Sequence, residues 1–412
     1  MTAHSSCSRD SSRRQPSGGA GKRRAQAGIT CDPLLVNSQS IKVHRGIDTL
    51  KVSFYADWDD LSEYESLLDT KELLQATEFE LSAPIEIGFL KFNLHRSGVR
   101  FYPLRLTCGD ITLLLSKTVS TASRPTIRLE IGSLTSQTAL LNTIGAVKVW
   151  FEQNGIEIVR EVVSEVHLAA DFIGQAIEPL DLTNEDLWIY KAVTFTVHRH
   201  NRRLSGVSIG KGDIMLRVYD KVLELQRSHH KQEVFSDLWG VPYSKELNVT
   251  RVEYQLRRPV LKDFINLEHC KEGVITVDDL LKGLQALWQY CTIDWARFVK
   301  TLVDRDNNNQ SQALISDFWE VVRSVVWESV YDLRRTKKIK YKNITALRAQ
   351  ARGIMMSIAS FFVRDPEDIE EVVSRSTSLL EADLREFYKD EEQFIKRMYQ
   401  KQNECVLDAV PF

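Results

Sequence analysis

Apolar and polar residues alternate along much of residues 48–258, the period-two pattern of strands with one buried face. Beyond Pro259 the period lengthens to three and four residues, as in amphipathic helices. The pattern predicts a strand at 48–54, then a helix at 59–75 in which Leu61, Tyr64, Leu67 and Leu68 recur at helical spacing. Strands are predicted at 85–94, 99–106, 111–115 and 125–131. A helix at 136–153 carries Leu140, Ile144, Val147 and Phe151 on one stripe and stops at Asn154-Gly155. The succession then begins again. A strand at 162–172 precedes a short helix capped near Thr183, with Leu187 inside it, and strands at 193–198, 204–209, 214–219 and 249–256.

Local sequence supports a duplication. Gly109-Asp-Ile-Thr-Leu-Leu-Leu-Ser116 aligns with Gly212-Asp-Ile-Met-Leu-Arg-Val-Tyr219, and Ile127-Arg-Leu-Glu130 with Thr250-Arg-Val-Glu253. The expected fold is α+β: two repeated antiparallel-sheet units, at 41–155 and 156–270, able to join edge to edge and followed by a helical region at 271–412. Residues 225–247 have no counterpart in the first unit and read as a loop carrying Trp239-Gly-Val-Pro-Tyr243. In the helical region Thr276 is a cap for a helix bearing Leu280, Leu284, Leu287 and Trp288. Leu314, Phe318, Val321, Val322 and Val325 mark another helix.

Composition changes this picture at three points. Residues 1–40 are rich in Ser, Gly, Arg and Gln and cannot bury enough apolar surface to order themselves, so a disordered tail is expected. Its Arg9, Arg13, Arg14, Lys22, Arg23 and Arg24 suit either nonspecific phosphate contact or simple solvation. The net charge of −2 hides segregation: Arg334, Arg335, Lys337, Lys338, Lys340 and Lys342 form a basic cluster, whereas residues 365–392 are acidic. The six cysteines lie far apart without zinc spacing, and no apolar run reaches the length of a membrane span. A cytoplasmic protein is the expectation. There is no Walker A motif.

The candidate chemistry lies on two of the predicted strands. If 214–221 pairs with 250–258, Arg217, Tyr219 and Lys221 project from the same polar surface as Arg251, Glu253 and Gln255. A tyrosine, a carboxylate and several cations are what a tyrosine nucleophile needs to break a phosphodiester. With a pKa near 10, only about one free tyrosine in a thousand is ionised at pH 7, so cations or a metal must assist. The same alternation also suits an ordinary hairpin whose arginines and glutamate pair across strands. Between the strands, His198-Arg-His-Asn-Arg-Arg203 reads as a hairpin tip, and Arg199, Arg202 and Arg203 there could grip phosphates or form a solvated turn.

The run Ser208-Ile-Gly210, Leu216-Arg-Val-Tyr-Asp-Lys221 and Arg251-Val-Glu253 resembles the replication initiation factor family. These are the trans-acting Rep proteins of rolling-circle plasmids, with related phage initiators and relaxases. The resemblance covers roughly residues 41–265. It implies a relaxase or Rep-nuclease-like fold, with Tyr219 attacking DNA at an origin and remaining on the 5′ phosphate. It also implies a divalent metal (Mg or Mn), a replication or transfer origin presented as a single strand or cruciform, and a host helicase and polymerase. It allows a homodimer. The family places two acidic residues on the strand that opens the second unit. Here Glu165-Val-His-Leu-Ala-Ala-Asp171 puts His167 at the first position and Asp171 at the second. His167 and Glu253 are the leading candidate ligands, with Asp171, Glu130 and Asp48 behind them; a buried histidine satisfied by hydrogen bonds is the competing reading. The alternative function is a noncatalytic origin-binding protein of related fold.

Overall fold

The computed structural model describes residues 34–36, 39–77, 81–117, 124–266, 268–301, 310–336, 344–362 and 368–387, together with 391, 394, 395, 397 and 398. The predicted N-terminal tail up to residue 33 lies outside the described residues, as do Lys337 and Lys338 of the basic cluster. The chain divides into two compact units. The first comprises residues 1–256 and 292–327; the second comprises 257–291 and 328–412.

In the first unit, β1 (Leu34–Val36) and the long β2 (Gln39–Trp58) lead to α1 (Ser62–Ala76). Then come β3 (Ser82–Ile87), β4 (Leu90–His95), β5 (Leu104–Cys108), β6 (Ile111–Leu115), β7 (Ile127–Ile131), α2 (Ser133–Thr138) and α3 (Leu140–Gln153). The second long strand, β8 (Ile156–Ile173), opens the repeat. It is followed by β9 (Trp188–Tyr190), β10 (Phe195–His200), β11 (Arg203–Ile209), β12 (Ile214–Asp220), α4 (Lys221–Leu225), α5 (His229–Trp239) and β13 (Val249–Arg257). Past β13 come α6 (Arg258–Leu261), β14 (Phe264–Ile265), α7 (Val277–Gln289), β15 (Ala296–Phe298), α8 (Asp317–Arg323), β16 (Arg334–Arg335), α9 (Ile344–Phe362) and α10 (Ile369–Phe387).

The expected α+β architecture is present. One sheet of twelve strands runs β10-β11-β12-β13-β8-β2-β7-β6-β5-β4-β3, with β1 paired to β2. Its order reads symmetrically outward from the β8–β2 pair, β13 matching β7 and β12 matching β6. The two repeats therefore join edge to edge through their opening strands, as expected. Register corrects the sequence alignment in one respect. Arg217 pairs with Glu253, whereas Leu114, its counterpart, pairs with Arg128. Arg128 thus stands where Glu253 stands, and Glu130 corresponds to Gln255. A slip of two residues leaves every side chain on its original face, so alternation could not reveal it.

Burial of the apolar face explains the elements. In the first repeat, Phe54 packs edge-on against Phe151 of α3 at 5.3 Å, and Trp58 against Tyr64 of α1 at the same distance. In the second repeat the returning residues 292–301 and 310–327 cover the apolar face. There Trp295 meets Tyr254, Phe318 meets Phe172, and Trp319 meets Trp188. The opposite face of β8, β12 and β13 is left for polar side chains. Five predicted elements differ. The strand at 85–94 is the hairpin of β3 and β4, turning at Gly88, and the strand at 99–106 starts only at Leu104. The helix at 136–153 is two helices, α2 and α3, broken at Ala139, whose φ of −147° is not helical. The short helix near Thr183 is a pair of 3₁₀ turns, Glu178–Leu180 and Glu185–Leu187. Residues 229–239, read as loop, form α5 because Phe235 and Trp239, four apart, bury one helical face.

In the second unit, β14 pairs with β16 and α7 begins with a capping box. The Thr276 side chain accepts from the Asp279 amide while the Asp279 carboxylate accepts from the Thr276 amide. No helix among the described residues is long and apolar enough to cross a membrane. Thr276→Ala is expected to cost about 1 kcal/mol locally, raising amide exchange in the first turns of α7 about fivefold. Unchanged exchange there would show that the box contributes nothing.

Candidate active site

Three side chains on the polar face of the sheet meet around one carboxylate. Glu253 of β13 is 4% exposed. Its Oε1 accepts from Arg217 Nη1 at 2.7 Å and lies 3.0 Å from His167 Nδ1; its Oε2 accepts from the Tyr219 hydroxyl at 2.9 Å. The strands make this possible. Arg217 stands directly opposite Glu253 in the β12–β13 register, Tyr219 opposite Arg251, and β8 supplies His167 from the other flank of β13. Arg217 Nη2 also donates to Gln255 Oε1 at 2.9 Å, a partner that alternation placed on the right face but gave no role.

A second cluster adjoins the first. Arg251 is fully buried and donates through Nε and Nη2 to both oxygens of Asp171, at 2.5 and 2.7 Å, and through Nη1 to Asp48. The sequence suggested a free cation beside the tyrosine; the structure places Arg251 in a tie between two acids instead. Asp171 has both oxygens occupied, the second also accepting from Trp239 Nε1 at 2.8 Å, so it stands outside the group that could hold a metal. Glu130 also stands outside it, opposite Lys51 and Thr112 on β7. Asp48 is inside because of a backbone irregularity: the β2–β8 register shifts between Ile47 and Thr49, and Asp48 is the residue left without an opposite number.

Lys221 departs from its predicted position. The strand ends at Asp220, whose carboxylate caps α4, and Lys221 opens that helix. It is 2% exposed, pairs with Glu224 at 2.5 Å, and lies 4.6 Å from the Phe235 ring centroid and 6.0 Å from that of Tyr219.

The electrostatics follow from burial. Burial opposes ionisation of Glu253, yet the hydrogen bond and charge of His167, with Arg217 and Arg251, hold it well below the usual carboxylate range. The same balance keeps Asp171 ionised, with Arg251 as its counter-charge. Burial pulls the imidazole of His167 down, but its hydrogen bonds to Glu165 (Nε2 to Oε1, 3.1 Å) and Glu253 outweigh this and raise it. The Tyr219 hydroxyl is pushed well above 10, first by burial and then by the charges of Glu253 and Asp48, against the pull of Arg251. At rest its proton is firmly held.

Asp48, His167 and Glu253 bring one ligand atom each within 4.8 Å of one another. The donor set fits a hard divalent cation, two carboxylates and an imidazole suiting manganese or magnesium. Glu165 suits the arrangement as well. With Nδ1 turned to a cation, Nε2–H still has its carboxylate partner, the support that metal-bound histidines generally have. Lys51 in turn pairs with Glu165 at 3.1 Å.

Beside Tyr219 and Arg217 opens a cleft of about 840 Å³ across β10, β11 and β12. Its lining includes His198, Arg199, His200, Lys211 and Arg227, together with the acids Asp220 and Glu224. Gly206 lies directly across from Tyr219, and a Cβ there would fall 2.6 Å from Val218 O and 2.7 Å from the tyrosine Cβ, so glycine lets β11 lie this close to β12. Arg199 lines the cleft. Arg202 sits in the β10–β11 turn with φ of 68°, and Arg203 pairs with Glu178 at 3.2 Å. In the second unit, Arg334 is exposed beside Asp332, whereas Arg335 is tied to Asp263 and Tyr290.

No family model matches the chain, and no curated protein matches it. Among solved structures, a rolling circle replication initiator protein from Geobacillus stearothermophilus aligns over 70% of this chain and 99% of that one, with a TM-score of 0.38 and 12% identity.

Asp171→Ala leaves the Arg251 guanidinium buried beside Asp48 alone. A loss of about 3–5 kcal/mol in unfolding free energy is expected. A loss below about 1 kcal/mol in urea titration would show that Asp48 suffices.

Proposed function

We propose that the protein is a metal-dependent DNA nicking and joining enzyme that starts rolling-circle replication or transfer, with Tyr219 as its nucleophile. The observation that carries this reading is the position of the Tyr219 hydroxyl. It is bonded to a carboxylate of the Asp48–His167–Glu253 group on one side, and its ring borders an open cationic cleft on the other. A tyrosine used only for packing needs neither neighbour. The noncatalytic alternative has the cleft in its favour and takes the acid–histidine group as buried charges that satisfy one another, but it does not call for a tyrosine hydroxyl between that group and the cleft.

In this reading the cleft receives one strand, with Arg199 and Lys211 meeting phosphates. Arg217 lies next to the attacked phosphate and offsets its developing charge. The Tyr219 oxygen forms a bond to phosphorus and the P–O3′ bond breaks. The tyrosine proton passes toward Glu253 Oε2, its hydrogen-bond acceptor, and the departing 3′ oxygen takes up a proton to become a hydroxyl. A divalent cation held by Asp48, His167 and Glu253 would supply Lewis-acid polarisation of the phosphoryl oxygen and offset the two charges that hold the tyrosine proton. One phosphoester replaces another, so rejoining is the same step reversed and needs no nucleotide. The free 3′ end is a primer for a polymerase.

Tyr219→Phe keeps the ring and removes one oxygen. Folding and DNA binding are expected to persist while nicking and the covalent adduct disappear together. The protein is incubated with Mn²⁺ and a labelled single-stranded origin oligonucleotide, and the adduct is mapped after denaturation and proteolysis. An adduct on another residue, or full nicking by the variant, would sink the assignment.

Arg199→Ala tests the cleft separately. Loss of one phosphate contact should reduce the slope of log affinity against log salt by about 0.7 for a single strand. A slope equal to that of the wild type would return Arg199 to solvent.

A further inference from the structure

Helix α5 belongs to the stretch that has no counterpart in the first repeat, and it is packed directly against the charged face. Phe235 lies 5.1 Å from the Arg251 guanidinium and 4.6 Å from the Lys221 ammonium, measured to its ring centroid. Trp239, the last residue of α5, is fully buried among Ile173, Val222, Leu225 and Val249. An apolar cluster asks only for volume there. The indole also directs its N–H at Asp171 Oδ2, 2.8 Å away, and completes three donors around that carboxylate.

A continuous chain of contacts runs onward. Asp171 accepts from two nitrogens of Arg251, and the third nitrogen of the same planar guanidinium donates to Asp48. Turning the Asp171 carboxylate turns the guanidinium, because the paired bonds fix both planes. Asp48 depends on that guanidinium for its direction. It lies at the register shift of β2, where the ladder does not constrain it, and its other side-chain contact is a long one, 3.3 Å from Thr49 Oγ1.

We propose that Trp239 is a positioning residue for the metal group, acting through Asp171 and Arg251 on the Asp48 carboxylate. The inference rests on the reading of Asp48, His167 and Glu253 as a cation site. The inserted helix thereby acquires a role in the site, in which a residue of the second repeat aims a ligand contributed by the first.

Mn²⁺ binding to DNA-free protein, read by electron paramagnetic resonance of the free ion, provides the test. Trp239→Phe keeps an aromatic ring and removes the N–H, and should weaken Mn²⁺ affinity about three- to tenfold, at the lower edge of what partners of metal ligands contribute. Nicking by this variant should recover at high Mn²⁺, an effect on metal requirement rather than on maximal rate. Leu225→Val thins the same apolar cluster without touching the hydrogen bonds and should leave affinity unchanged. An independent measurement needs no variant: the assigned Trp239 indole N–H resonance of wild-type protein should move on Mg²⁺ titration with the midpoint of binding. Equal Mn²⁺ affinity in wild type and Trp239→Phe, equal weakening in Leu225→Val, or a stationary indole resonance would each overturn the relay. Wild-type protein that binds no Mn²⁺ would overturn the metal reading itself, an outcome distinct from those three.

Discussion

Burial of the Glu253 carboxylate is the constraint on which the second repeat turns. An ionised carboxylate removed from water costs several kcal/mol unless donors replace the lost hydration. Glu253 has three, from Arg217, Tyr219 and His167. They come from two different strands, so β13 must lie between β12 and β8 for the site to exist. Arg251 raises the same problem with opposite sign, and Asp171 and Asp48 answer it. Removing one member therefore leaves another charge buried without its counterpart. This interdependence makes the face a single electrostatic object rather than a set of ion pairs.

The duplication explains where that object sits. Both repeats build the same strand succession, but the first places Leu114 opposite Arg128 where the second places Arg217 opposite Glu253. The first repeat is nevertheless not a bystander. The β2–β8 pair joins the two halves, and the irregularity at Asp48 sends a carboxylate from the first repeat into the group completed by His167 and Glu253 of the second. Neither repeat holds the three ligand atoms alone. Fusion of two copies in one chain fixes this pairing without the translational entropy that two separate chains would lose on associating.

Much of this was legible in the sequence because β-structure writes its faces into alternation. Arg217, Tyr219, Arg251 and Glu253 could be assigned to one surface from spacing alone, and Gln255 with them. Alternation is blind to what changes register or ends a strand. The two-residue slip that makes Arg128, not Glu130, the counterpart of Glu253 preserves every face. The Asp220 cap that turns Lys221 into a helix residue follows a strand pattern that had given no reason to stop. Nor could spacing separate Arg251 from Arg217: both face the same way, yet one is locked between acids while the other borders the cleft. That distinction depends on Asp48 and Asp171, which are 203 and 80 residues away from Arg251 in the chain. The helix carrying Trp239 was hidden for a simpler reason. Its turn-rich flanks, Gly240 and Pro242, dominated a segment with only two strongly buried aromatics.

The resting electrostatics hold the tyrosine in its protonated form. Burial and the charges of Glu253 and Asp48 hold the Tyr219 proton, and Arg251 opposes them only in part. Two of the three acids that restrain the tyrosine, Glu253 and Asp48 but not Glu224, are also the two acids of the candidate metal group. Under the proposed reading, restraint and activation are therefore one variable: whatever offsets the charge of Asp48 and Glu253 also loosens the proton. His167 bridges Glu165 and Glu253, and its hydrogen bonds to them raise its imidazole above the ordinary value. A proton on His167 Nδ1 and a divalent ion would compete for the same lone pair. The distinction lies in geometry: His167 reaches Glu253, whereas a divalent ion among the three ligand atoms would offset Asp48 and Glu253 together. Arg251 already shares its charge with Asp48, and the tyrosine proton is held nonetheless.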